Sequence, residues 1–142
     1  SNRAVIPTII TQALTSTQIH LGNLTTRRDF TYLDDTVNGF LKAAENGNWD
    51  GQVYNLGTGY DVSISDVAQQ IFDYLRIEPE IIIDQERIRP EKSEVLRLVS
   101  DNSKAKRELG WEPEFNLRQG LASTIEWIRN HLDHYLPDDY GR

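Results

Sequence analysis

The chain has 142 residues, with 22 Asp and Glu against 15 Lys and Arg, for a net charge of −7. That is one domain's worth of chain with an ordinary apolar content, and its acidity argues against nonspecific nucleic-acid binding. It contains no cysteine, so disulfides, thiolate metal sites and cysteine nucleophiles are excluded, and no apolar run approaches the length of a membrane span.

Cysteine-free sequence fits a reducing compartment, so a cytoplasmic protein with neither a nucleic-acid nor a membrane partner is expected. Ser1-Asn2-Arg3 leads almost at once into a helical pattern, as expected of a fragment of a longer protein. Ile6 to Leu14 predicts a short helix. Pro7 suits its first turn, and Ile6, Ile9, Ile10, Ala13 and Leu14 recur at helical spacing. Ile19-His20-Leu21-Gly22 is a short extended piece, where the glycine either serves a turn or lets backbone approach a ligand. Arg27 to Leu33 alternates like a strand and runs into Asp34-Asp35. Either acid is placed to cap a helix ending near Glu45, and Val37, Phe40, Leu41 and Ala44 are its expected buried stripe. The loop from Asn46 to Gly51 carries strong turn signals.

Gln52 to Leu56 predicts a strand and Gly57-Thr58-Gly59 a turn. Ser63 is then the expected cap of a helix to about Arg76, with Asp66 in the capping-box position. Pro79 separates that helix from a strand over Glu80–Ile83, which ends at Asp84. A strand, a Gly-x-Gly turn, a helix, a second strand and an acid imitate a dinucleotide site. The third glycine of that pattern would fall at Val62, however, and a β-branched side chain there obstructs close helix–strand packing. The glycines are therefore expected only to turn the chain within a βαβ crossover. Gln85 to Glu94 is charged and aperiodic, as in a loop. Val95 to Val99 predicts a strand, Asp101 caps a helix over Ser103–Leu109, and Gly110 closes it. Asn116 with Gln119 opens a last helix to about Tyr135, with Leu117, Leu121, Ile125, Ile128 and Leu132 as its stripe. Pro137 to Arg142 is a polar tail. Trp49, Trp111 and Trp127 are expected packing anchors, and His131 and His134 suit a helix C-terminus.

The candidate chemistry lies in arginine. Arg28 at a strand edge and Arg89 in the charged loop each present a fork of donors, and two such forks suit a diphosphate. Arg27 and Arg87 are their neighbouring substitutes. No Ser/His/Asp arrangement or metal-ligand cluster is apparent, and no tyrosine is followed four residues later by lysine. No catalytic or metal-ligating residue is assigned.

Arg28-Asp29-Phe30-Thr31-Tyr32-Leu33-Asp34-Asp35 resembles the Arg-Asp-(aromatic)-x-(aromatic)-Val-x-Asp segment of the extended short-chain dehydrogenase/reductase family, the NAD-dependent nucleotide-sugar epimerases and 4,6-dehydratases. Val5-Ile6-Pro7 resembles the start of that family's substrate-side helix. Val53-Tyr54-Asn55-Leu56-Gly57-Thr58-Gly59 resembles its Tyr-Asn-(Ile/Leu)-Gly-x-Gly strand and turn. Arg89-Pro90-Glu91-Lys92-Ser93-Glu94-Val95 resembles its Arg-Pro-Gly-(Asp/Glu) segment. Asp101 to Lys106, followed by Leu109-Gly110-Trp111-Glu112-Pro113, resembles its closing helix and turn. The matches run in order along the whole chain and cover only the C-terminal part of the family.

The resemblance implies an α/β fold, the C-terminal substrate-binding part of such an enzyme. Short strands and about five helices are expected over residues 1–142 as a single nucleotide-sugar-binding domain, without the N-terminal Rossmann half. It implies that Arg28 and Arg89 contact the pyrophosphate, that Glu94 accepts from the ribose hydroxyls, and that Leu21 and Gly22 lie in the loop over the nucleobase. Glu91-Lys92-Ser93 replaces the usual glycine and changes the spacing to Glu94. The closest likeness is to enzymes of UDP-sugars. NAD is the cofactor of the full-length family. This chain, lacking the glycine-rich turn and the Tyr-x-x-x-Lys base, is expected to bind none and to be inactive alone. The alternative is a stand-alone noncatalytic binding or oligomerisation module. For either, the strand at Val53–Leu56 would be left with an open edge, so a homo-oligomer is expected, with domain exchange as one route to a dimer.

Overall fold

A computed structural model describes residues 4–48, 50–88 and 95–135. Five α-helices and five short strands follow one another among them, in keeping with the α/β class read from the sequence. They sort into two compact units. The first draws on three stretches, up to Thr25, from Ile64 and from Leu121; the second draws on Thr26–Ser63 and Val95–Gly120.

In the first unit, α1 (Val5–Thr15) packs on α3 (Ile64–Leu75). Their facing positions Ile9, Ile10, Val67, Ala68 and Ile71 are fully removed from solvent. β1 (Gln18–Leu21) pairs in parallel with β4 (Glu80–Ile83), Gln18 opposite Glu80 and Leu21 opposite Ile83. At His20 the side-chain amide of Gln12 closes the backbone as a neighbouring strand would. His20 N donates to Gln12 Oε1 at 2.8 Å, and Gln12 Nε2 donates to His20 O at 3.2 Å. That blunts an otherwise open edge. Leu121, Ile125 and Ile128 of α5 (Leu117–Asn130) complete this core. The helix stops at Asn130 rather than near Tyr135, and a 3-10 turn follows over Leu132–His134. Trp127 is not the buried anchor expected. It is half exposed and stacks on His131, with ring centres 4.4 Å apart.

In the second unit, β2 (Arg27–Arg28) lies between β3 (Val62–Ser63), antiparallel to it, and β5 (Arg97–Leu98), parallel to it. α2 (Leu33–Asn46) packs on α4 (Ser103–Leu109). The core is Ala105, Leu109 and Trp111, with Ala43, Tyr54 and Leu56 packed against it. Local signals decide the ends of α4. Asp101 Oδ1 accepts from Ser103 N at 3.0 Å, and Gly110 takes the left-handed φ of 66° that ends a helix cheaply only at glycine. The start of α5 is a reciprocal capping box, with Asn116 N on Gln119 Oε1 and Gln119 N on Asn116 Oδ1, both at 3.0 Å.

Three expectations fail in this unit. The stripe Val37, Phe40, Leu41 and Ala44 is exposed, Phe40 to 70%, and α2 instead buries Asp35 and Gly39. A methyl group on Gly39 would collide with Leu56, so the glycine is what admits that side chain. Asp35 does not cap the helix. The N-cap position is Tyr32 without a side-chain bond, and the Asp35 carboxylate reaches across to Glu114 N (2.8 Å) and Phe115 N (3.2 Å). Finally, Gln52 to Leu56 is extended but joins no ladder among the described residues. β4 pairs with β1 and not with this segment, so no βαβ crossover forms here. Lys104 stands in for a sheet partner, donating from Nζ to Val53 O (3.1 Å) and Gln52 Oε1 (2.6 Å).

Candidate functional site

Arg28 sits on the middle strand of the three-stranded sheet. The strand is fixed on both sides of it, because Arg27 N donates to Leu96 O at 2.8 Å and Asp29 N donates to Leu98 O at 3.0 Å. Its side chain is half-buried and folds back so that Nη1 donates to Arg27 O at 2.8 Å. A guanidinium on so short and well-held a strand has little backbone freedom to lose when it meets an anion.

The neighbouring arginine meets a carboxylate. Arg27 binds Asp61 through Nε at 3.3 Å, and its Nη2 donates to Asp61 O at 3.0 Å. Arg97 bonds the same carboxylate. The Asp61 carboxyl is held below its ordinary value of 3.8, first by the Arg97 hydrogen bond and then by that of Arg27. A carboxyl depressed on folding contributes stability that is complete above its unfolded pKa and lost as pH falls through the folded one. Acid unfolding followed by circular dichroism below about pH 4 should therefore show a limb that Asp61→Asn removes. An identical acid limb in the variant would count against this. Nothing in the sequence marks Asp61. It follows the glycine turn by two residues and meets Arg97 from 36 residues away.

Asp29, next to Arg28, spends its carboxylate on backbone. Oδ1 accepts from Thr58 N (2.9 Å) and Thr58 Oγ1 (2.5 Å), and Oδ2 accepts from Gly59 N (2.9 Å) and Ser100 N (3.2 Å). A methyl group on Gly57 would collide with the Ser100 side chain. Gly59 has a φ of 78°.

Of the other sequence-based candidates, Leu21 is the last residue of β1 and its side chain is buried, while its carbonyl accepts from Asp84 N at 2.8 Å. The backbone that approaches Gly22 is the chain's own: a methyl group there would stand 2.7 Å from Arg87 O. Arg87, the substitute for Arg89, pairs with Asp84 at 3.1 Å. Arg89, Glu94 and Trp49 lie outside the described residues. Among the described residues no group of three His, Cys, Asp or Glu could hold a metal, and no helix is long and apolar enough to cross a membrane.

Comparison with known proteins gives this geometry its setting. Residues 2–124 match the model of the GDP-mannose 4,6 dehydratase family. The chain belongs to that family. Among curated proteins it is similar to a UDP-glucose 4-epimerase of Mycolicibacterium smegmatis, 32% identical over 103 residues, covering 72% of this chain and 31% of the relative. Among solved structures, a UDP-glucose 4-epimerase of Thermotoga maritima with UDP-glucose is 31% identical at a TM-score of 0.77, covering 91% of this chain and 40% of that one. A dTDP-glucose 4,6-dehydratase of Bacillus anthracis in complex with NAD is 25% identical at a TM-score of 0.81, covering 92% and 40%. The chain thus spans about a third of the length of its curated relatives, and it carries the fold of the C-terminal part of an extended short-chain dehydrogenase/reductase.

Proposed function

We propose that this chain is the nucleotide-sugar-binding part of an NAD-dependent sugar-nucleotide epimerase or 4,6-dehydratase, with a UDP-sugar as its ligand. The observation that carries the reading is Arg28, held on a strand by backbone hydrogen bonds at the residues on either side of it. Relatives that act on UDP- and dTDP-glucose support the ligand class. Arg28 and Arg89 take the pyrophosphate with charge-assisted hydrogen bonds. Glu94 accepts from the ribose hydroxyls, and Leu21 and Gly22 offer backbone to the nucleobase. In the whole enzyme NAD supplies the hydride acceptor for the sugar's C4. The residues of this chain hold the diphosphate end of the substrate still while that exchange takes place, and they contribute no acid or base of their own.

Calorimetric titration with UDP-, dTDP- and GDP-sugars, with NAD as the control, tests the reading. One nucleotide-sugar should bind saturably. Arg28→Ala should weaken it roughly 10- to 100-fold, the loss expected for one or two charge-assisted hydrogen bonds, and adding Arg89→Ala should abolish it. Affinity unchanged in the double variant would sink the assignment.

The open face of α2, with Phe40 and Leu41 exposed, and the unladdered Gln52–Leu56 segment, with Val53 75% exposed, support a homo-oligomer of the separate chain. A second copy covers this apolar surface. Sedimentation at concentrations on the order of tens of micromolar should show a dimer or larger species that Phe40→Glu dissociates. A wild-type monomer would overturn the oligomer.

A further inference from the structure

The Gly57-Thr58-Gly59 turn is a working anion cradle, and it is already full. Successive backbone N–H groups converging on one point form a nest of partial positive charge, the device by which glycine-rich turns hold phosphate. Here Thr58 N and Gly59 N converge, Ser100 N joins them from the end of the sheet, and the Thr58 hydroxyl adds a fourth donor. All four point at the carboxylate of Asp29. The Ser100 hydroxyl lies buried beside it without a hydrogen-bond partner, and Asn102 Nδ2 holds the turn from behind through Gly57 O at 2.7 Å.

We infer that Asp29 acts as a built-in anion: it occupies the cradle that a dinucleotide pyrophosphate would otherwise seek, and by doing so it positions Arg28. Three separate stretches, 27–29, 57–59 and 98–100, meet on this one side chain. Arg28 is covalently next to it, so the carboxylate's grip on the turn sets the place and direction of the preceding guanidinium. The same grip leaves the donors of this dinucleotide-like turn engaged by the chain's own carboxylate. The part concerning the cradle stands on geometry alone; the value of a fixed Arg28 rests on the phosphate-binding reading above. Asp29 is accordingly a positioning residue and touches no ligand itself.

The test is nuclear magnetic resonance and thermal unfolding of the 142-residue chain with Asp29 replaced, with formate as the probe and chloride at equal ionic strength as the control. In Asp29→Ala the cradle is emptied. The Tm should fall by about 10 °C, the scale expected for several lost charge-assisted hydrogen bonds in a chain of this size. The amide resonances of Thr58, Gly59 and Ser100 should move, and so should the side-chain Nε resonance of Arg28. Formate should return all four resonances toward their wild-type positions saturably and restore part of the Tm, while leaving the wild type unmoved. Formate acting alike on wild type and variant, or on neither, overturns the built-in anion. An Arg28 Nε resonance that stays put while the three amides move overturns the positioning role.

Should the alanine variant not fold, Asp29→Asn keeps the shape but turns an NH2 toward two of the donors. It should displace the Gly59 and Ser100 amides, and unmoved amides there overturn the proposal equally. Titration with UDP separates the two readings. If wild type binds no UDP, the nucleotide-sugar reading fails while the formate response still decides the cradle. If wild type binds UDP, Asp29→Ala should bind roughly tenfold more weakly and recover with formate.

Discussion

Trp111→Ala should cost this protein about 3–5 kcal/mol, the range for removing a large buried aromatic side chain, and lower its Tm by roughly 10–15 °C. Trp111 is 1% exposed, and it closes a core with Ala105 and Leu109, against which Ala43, Tyr54 and Leu56 pack. None of these can swell to fill the hole left by an indole. The indole also has a polar task, since Nε1 donates to Asp35 O at 2.9 Å in a buried setting. Trp111→Phe separates the two contributions. It keeps most of the apolar volume and leaves the Asp35 carbonyl short of one donor, so the expected loss is about 1–2 kcal/mol. Chemical denaturation of the two variants measures the split, and equal losses would show that the hydrogen bond, rather than the packing, dominates.

Asp35→Ala is the second large effect. The side chain is 1% exposed and serves two backbone donors, Glu114 N and Phe115 N, on the approach to α5. Alanine strands both N–H groups in a place water does not reach freely, at about 1–3 kcal/mol for each. The expected total is about 2–5 kcal/mol, comparable to Trp111→Ala although only a few atoms are removed. Asp35→Asn retains one acceptor oxygen and sets an NH2 against the other N–H, so it should recover less than half of the loss.

These two residues also mark what the sequence could and could not disclose. Elements whose ends are decided within four residues were legible: Gly110 closing α4, Asp101 receiving Ser103 N, and the Asn116–Gln119 box all stand as read. α2 was not. Its strongest periodic stripe runs through Val37, Phe40 and Leu41, and periodicity reports that a face is apolar without saying what covers it. The face that packs within the unit is chosen by Gly39, which admits Leu56, and by Asp35, which reaches residues 79 and 80 positions away. The extended character of Gln52–Leu56 could be read, but not its lack of a ladder, since pairing belongs to two segments and only one is in view.

The site divides in the same way. A fork of donors at Arg28 follows from the Arg-Asp-aromatic pattern, but the pairing of Arg27 depends on Asp61, which has no signature. The Gly-Thr-Gly sequence discloses a turn and no more, because what its donors grip is a carboxylate 29 residues upstream of Thr58.

The interleaving of the two units bears on how the chain acquires its structure. It passes between them four times, near 25, 63, 94 and 120, and β1 waits for a partner 62 residues further on. Closing so long a loop comes before any reward from the strand pair, so assembly should be slow for a protein this rich in helix. On the ribosome, β1 must remain unpaired until β4 has emerged. A break between Ser63 and Ile64 leaves neither half with a whole unit. The two pieces are expected to stay unfolded apart and to acquire structure only when mixed, each serving as the other's template.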